Sequence, residues 1–148
     1  MRVVLQRVVR ASVTVGGDRM AKIGRGYLLL VGVGRGDPAD EVERLADRVV
    51  GLRLFADEDG KTNRSIVDVD GEVLVVPQFT LYADLSKGRR PSWTGAEDPA
   101  IAEQRVEALA AAVGSRGVPV RRGVFGAEML VELANDGPFT LVLDAAAR

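Results

Sequence analysis

Neither cysteine nor histidine occurs anywhere in the 148 residues. Disulfides, thiolate nucleophiles and Cys/His zinc sites are therefore excluded. A Ser-His-Asp triad and an imidazole general base fall with them. Any chemistry performed here rests on Asp and Glu, Lys, Tyr, Ser and Thr, backbone amides, or groups that a substrate carries in. The apolar run Tyr27 to Val31 is far shorter than the ~20 residues that cross a bilayer, and a basic-then-apolar signal segment is lacking. The expected location is the cytoplasm, with no membrane partner. An excess of positive charge is missing too. The formal net charge is −1, so RNA would have to be held by a local basic patch.

What is present describes an ordinary globular chain, with 47% apolar and 28% charged residues. Its length suits one domain with a sizeable core. The stretch Glu72-Val73-Leu74-Val75-Val76-Pro77-Gln78-Phe79-Thr80-Leu81-Tyr82 stands out. Its four consecutive aliphatics predict a strand buried on both faces. That strand then meets Pro77, which cannot donate to a ladder, and the neutral polar side chains of Gln78 and Thr80. Either the strand simply leaves the core there, or its end lifts backbone N–H groups and two polar side chains into a pocket.

The N-terminal third reads as an antiparallel meander: strands over Val3 to Val9 and Ser12 to Val15, a Gly16-Gly17 turn, a strand to Ile23, and a strand Tyr27 to Val33. Arg7 sits between apolar neighbours, a charge that either snorkels outward or is paired in a site. Gly32-Val33-Gly34-Arg35-Gly36 has the wrong spacing for a dinucleotide loop, and Asp37 would repel a pyrophosphate. Asp37 and Pro38 read instead as N-cap and N1 of a helix to Val50, with Val42, Leu45, Ala46 and Val49 on one face. The acidic turn Ala56 to Lys61 lacks the later glutamate of a calcium loop.

From Ala83 to Gly95 the chain is polar and irregular, with Lys87, Arg89, Arg90 and Trp93 among two glycines. A solvated loop is one reading; a surface for a phosphate backbone and a stacked base is the other. A second helix is predicted from Asp98 as N-cap to about Val113, with Ile101, Val106, Leu109 and Val113 on one side. Three strands follow, over Val118 to Val124, Glu128 to Ala134 and Phe139 to Leu143. Asn135-Asp136-Gly137-Pro138 between the last two reads as a plain hairpin connection, although Asn135 and Thr140 repeat the pattern of neutral polar groups at a strand margin.

Taken together, Pro77-Gln78-Phe79-Thr80-Leu81-Tyr82 and Asn135-Asp136-Gly137-Pro138-Phe139-Thr140 closely resemble the signature pair of D-aminoacyl-tRNA deacylases. The resemblance extends through Met1-Arg2-Val3-Val4-Leu5-Gln6-Arg7-Val8, the segment Lys87 to Ser92 and the segment Gly123 to Met129. It implies a single α+β domain of largely antiparallel or mixed sheets, sandwich or barrel-like, with two flanking helices. It also implies a homodimeric hydrolase, without metal or other cofactor, that removes D-amino acids and glycine from mischarged tRNA at sites on the subunit interface. In this pattern Gly137 and Pro138 form a cis peptide that enters the partner's pocket and selects by chirality, and Arg7 holds that segment. Gln78 and the Phe79 backbone N–H grip the aminoacyl ester, and Thr80 is the nucleophile by type, although an RNA-assisted route is equally compatible. Met129, Asn135 and Thr140 complete the implied substrate-binding set. Two departures are Pro77, where the family usually has Ser, and Phe139, where it usually has Val.

This chemistry is compatible with the missing residues. An aminoacyl ester is already activated, so its hydrolysis chiefly needs an oriented water and a donor for the developing oxyanion. A backbone N–H can be that donor, and the ribose 2′-hydroxyl can position the water. A tRNA-binding module without turnover, or an unrelated small-molecule hydrolase using Thr80 with Lys or Asp, are the competing readings.

Overall fold

The structure is a computed structural model and describes residues 1–145. Its organising strand is β1 (Arg2–Val15), followed by β2 (Asp18–Ile23) and β3 (Gly26–Gly32). β2 pairs with the second half of β1 and β3 with the first half, both antiparallel. The last strand, β8 (Leu130–Asp144), runs antiparallel along nearly all of β1. One edge of β1 is therefore shared end to end by β2 and β3, while β8 occupies the other. This replaces the expected meander, and the two separate N-terminal strands are one. A side-by-side meander would have left half of β1 without hydrogen-bond partners on that edge.

Beyond β3 the sheet continues in parallel with β6 (Glu72–Pro77) and then β7 (Val120–Arg122). Because β2 also approaches β6 and β7, this mixed sheet curls into a nearly closed, barrel-like form. Alternation along the strands sends side chains to two cores. Val8, Val13, Ile23, Leu28, Leu74 and Val76 fill the inside of the curl. Leu5, Leu29, Val31, Val73 and Val75 face outward, beneath the helices α1 (Glu41–Gly51) and α2 (Pro99–Gly114). A two-stranded ribbon of β4 (Phe55–Ala56) and β5 (Thr62–Arg64) lies beside them, with Phe55 stacked on Tyr27 at 5.3 Å between ring centroids.

The helix ends test local chemistry. Asp98 caps α2 as expected, its carboxylate accepting from the Ala100 N–H at 3.0 Å, with Pro99 next. Its buried face is built from Ala102, Val106, Leu109 and Val113, whereas Ile101 is exposed. Asp37 does not cap α1, which starts four residues later. Its carboxylate instead accepts from the Gly34 N–H at 2.6 Å and the Tyr82 hydroxyl at 3.2 Å, and pairs with the Met1 ammonium at 2.6 Å. Three donors, one of them charged, outcompete a single helix N–H.

Close approach of backbones fixes where β3 meets β6. A Cβ on Gly26 would lie 1.8 Å from the Glu72 carbonyl oxygen, and that oxygen is backbone that cannot swing aside. Gly26→Ala is expected to lower stability in urea unfolding by about 3 kcal/mol or more, at the upper end of overpacking costs. A midpoint equal to wild type would show that the β3–β6 contact is looser than described.

Candidate active site

β6 delivers the chain to the site. Its last pairing partner is Val31, and the next N–H, that of Gln78, donates to the Val31 carbonyl at 2.8 Å. Successive strand N–H groups alternate in direction, so the Pro77 nitrogen faces away from β3, toward the side where β7 has already ended at Arg122. Proline is thus placed where no ladder bond is lost. Beyond it the chain does not continue as a strand but winds into a 3-10 turn over Phe79–Tyr82. The first bond of the turn runs from the Leu81 N–H to the Gln78 carbonyl at 3.3 Å. The N–H groups of Phe79 and Thr80 precede it, where a helical start leaves donors without an internal partner. The Gln78 side-chain amide donates to the Thr80 hydroxyl.

The far end of this turn is held firmly. The Tyr82 hydroxyl donates to Asp37, and burial together with that carboxylate pushes its pKa up. Arg2 lies over the Tyr82 ring at 5.1 Å, donates to the Leu81 carbonyl at 3.0 Å and pairs with Asp144 at 3.0 Å.

Beside the turn opens a cavity of about 740 Å³. Val31 and Val76 line it from the sheet, Ala102 and Val106 from α2, and Phe125, Met129 and Val131 from the chain entering β8. Gln78, Phe79, Trp93 and Glu97 lie at its polar and aromatic margin. Phe79 and Trp93 meet edge to face at 5.1 Å. The Met129 sulfur accepts from the Val124 N–H at 3.3 Å and occupies space that any Cβ on Gly123 would invade, at 2.9 Å. Backbone N–H groups of Asp98 and Gly36 hold the Glu97 carboxyl below its usual range.

A second cluster lies on the β1–β8 ladder. Register breaks on either side of Val8: Gln6 faces Thr140 and Val8 faces Asn135, so Arg7 alone stands opposite four residues of β8, and Arg10 then faces Ala134, leaving Val9 unmatched. The surplus is extruded as Asp136-Gly137-Pro138-Phe139. The expected hairpin is thus a bulge within one long strand, and its Gly137–Pro138 peptide is cis. Arg7 lies under it. Its Nε–H faces both the carbonyl and the carboxylate of Asp136 at 3.1 Å, Nη1 donates to the Leu54 carbonyl, and the guanidinium lies 4.1 Å from the Phe139 ring centre. The Asn135 amide donates to the carbonyls of Arg7 and Phe139 at 2.9 and 3.2 Å, and the Gln6 amide to the Thr140 hydroxyl at 3.1 Å.

The sequence matches the profile of the family described as D-Tyr-tRNA(Tyr) deacylase over residues 4–144. The chain belongs to this family. It is 56% identical to the D-aminoacyl-tRNA deacylase of Chloroflexus aurantiacus, covering 99% of this chain and 91% of the relative. The deacylase of Thermomicrobium roseum is 56% identical over 99% and 95%. Among solved structures, one titled c-Myc DNA Unwinding Element Binding Protein superposes with TM-score 0.90 at 39% identity, over 97% of this chain and 98% of that one. A probable eukaryotic D-amino acid tRNA deacylase shares the fold at TM-score 0.83 and 17% identity, over 96% and 97%.

Against the deacylase signature, the expected site residues fall into two groups within one chain. Gln78, Phe79 and Met129 line the cavity. Arg7, Asn135, Gly137, Pro138 and Thr140 form the bulge cluster and do not line that cavity. Thr80 is exposed, and among the described residues its side chain bonds only to Gln78. Reading the sequence missed Phe125 in the cavity wall, although Gly123-Val124-Phe125-Gly126 was the available signal. It also missed the Asp37–Tyr82 bond, since residues 45 apart leave no local trace.

Arg7 holds its segment with a planar fork, which a lysine lacks. Arg7→Lys should keep the sheet yet speed amide hydrogen exchange across residues 135–140 by on the order of ten-fold or more, from loss of a charged hydrogen bond worth about 1.5–3 kcal/mol. Exchange unchanged in that segment would mean that Asn135 alone holds it.

Proposed function

We propose that this chain hydrolyses the ester of D-aminoacyl-tRNA, releasing tRNA and the free amino acid. What carries the reading is the pair of adjacent backbone donors, Phe79 and Thr80 N–H, beside a cavity large enough for a terminal nucleoside with its aminoacyl group. The ester carbonyl sits against the Phe79 N–H, which stabilises the oxyanion as water attacks; a well-placed donor is worth about 3 kcal/mol. The 2′-hydroxyl of the ribose orients that water, which replaces the missing imidazole. Gln78 holds the aminoacyl end. Thr80 holds the Gln78 side chain and does not attack, because among the described residues no Lys, Asp or Glu bonds its hydroxyl to activate it.

The bulge supplies selection. Gly137 and Pro138 are exposed on β8, away from their own cavity, so they can act on substrate only in another copy of the chain. β8 also carries exposed Leu130 and Val142, at 62% and 64%, which a partner would cover. In the resulting homodimer the bulge carbonyls of one subunit wall the cavity of the other. An L side chain collides with that wall while a D side chain or the hydrogen of glycine clears it, so specificity comes from rejection. Such an enzyme works in the cytoplasm, where charged tRNA is.

Single-turnover deacylation tests this directly. D-aminoacyl- and glycyl-tRNA should be hydrolysed and L-aminoacyl-tRNA spared. Binding without turnover would instead favour a tRNA-binding module. Thr80→Ala should retain activity within about ten-fold of wild type, since the backbone donor survives and one side-chain hydrogen bond is worth about 1 kcal/mol. Its complete loss with fold and tRNA binding intact would make Thr80 the nucleophile. Gln78→Ala should be milder than any change that closes the cavity, because water can replace the amide.

A further inference from the structure

The segment between the 3-10 turn and α2 is built as an excursion from the rim of the cavity. Asp84 and Ser92 exchange both backbone hydrogen bonds, at 2.8 and 3.0 Å, and close a seven-residue loop over 85–91. One stem of the loop is the turn bearing Phe79, and the other leads at once to Trp93, so both stems end on the cavity margin. The Asp84 carboxylate, held below its usual range by the Ser86 hydroxyl and N–H, is spent inside the stem.

The loop itself carries Lys87, Arg89 and Arg90, all exposed, and no acid lies between Asp84 and Glu97. Among the described residues none of the three makes an ion pair, a hydrogen bond or a ring contact through its side chain, whereas Arg2, Arg7, Arg116 and Arg122 are all paired. A chain of net charge −1 thus places three unneutralised cations on a loop whose stems border the cavity.

We infer that the 85–91 loop is the tRNA-docking element: it neutralises backbone phosphates of the nucleotides just behind the esterified 3′ end. This rests on the proposed deacylation of a tRNA ester. A seven-residue loop goes out and back, so it reaches roughly 10–13 Å from the rim. That range covers the first few phosphates behind the cavity and not the body of the tRNA. Contacts of this kind hold and position without reading sequence.

The experiment compares two substrates of one chemistry, D-aminoacyl-tRNA and D-aminoacyl-adenosine, which has no phosphate for the loop to meet. The variants are the triple Lys87→Gln/Arg89→Gln/Arg90→Gln and the single Arg90→Glu. With tRNA, the triple variant should raise KM on the order of ten-fold to a hundred-fold near 0.1 M salt. It should also flatten the plot of log affinity against log salt by about 2, as expected for three contacts to a single strand. Arg90→Glu should move KM in the same direction. With the adenosine ester, kcat/KM should stay within about two-fold of wild type. An unchanged KM and salt slope for tRNA overturn the loop's role while leaving the deacylase reading intact. An equal loss on both substrates also overturns it, because the loop would then be shaping the cavity. Failure of the wild type on both esters removes the underlying reading instead.

Discussion

The pairing of β8 with β1 is the constraint on which the rest depends. From Arg2 to Thr14, β1 is matched by a strand from Leu130 to Asp144 that is two residues longer, and the excess leaves the ladder at residues 136–139. The backbone groups of an extruded segment need new partners, and a charged side chain directly beneath can supply them. Arg7 does so, with Asn135 closing the bulge from the other side. On its other edge β1 pairs with β3, Arg2 facing Gly32, which brings Met1 to the Asp37 carboxylate and, through the Tyr82 hydroxyl, braces the turn that carries Phe79. Two regions far apart in sequence are thus set by one strand.

Chemistry without imidazole is a matter of placement. The site has little acid–base capacity of its own, and it offers rigid donors beside an apolar cavity. An activated ester needs little more, whereas an amide would need a proton on its leaving nitrogen. Absence of histidine and the nature of the bond are two sides of one constraint, and they account for a site made mostly of backbone and aliphatic surface.

Much of this was legible in the residues. The Val73 to Val76 run announced a strand buried on both faces, Asp98-Pro99 announced the start of α2, and Arg7 was out of place among aliphatics. Legibility failed where a distant partner decided the outcome. Asp37 has the local form of a helix cap, but an ammonium and a tyrosine hydroxyl claim it. Asn-Asp-Gly-Pro has the local form of a hairpin, yet β1 is long enough to pair on both sides of it, so the chain bulges and continues. Ile101 fits a helical stripe by spacing, but small alanines let α2 lie on a different face. Paired signature motifs reached the family, which no periodicity could, because periodicity reports burial alone.

β1 is bonded to β2, β3 and β8 at once, so the strands flanking the bulge cannot part without unzipping a shared ladder. Those strands belong to one cooperative unit whose opening costs close to the free energy of global unfolding, while the 85–91 loop, closed by the Asp84–Ser92 backbone pair, belongs to the less protected end of the molecule. Motion in this protein is thereby partitioned: the 85–91 loop is left supple, and the ladder around β1 stays stiff.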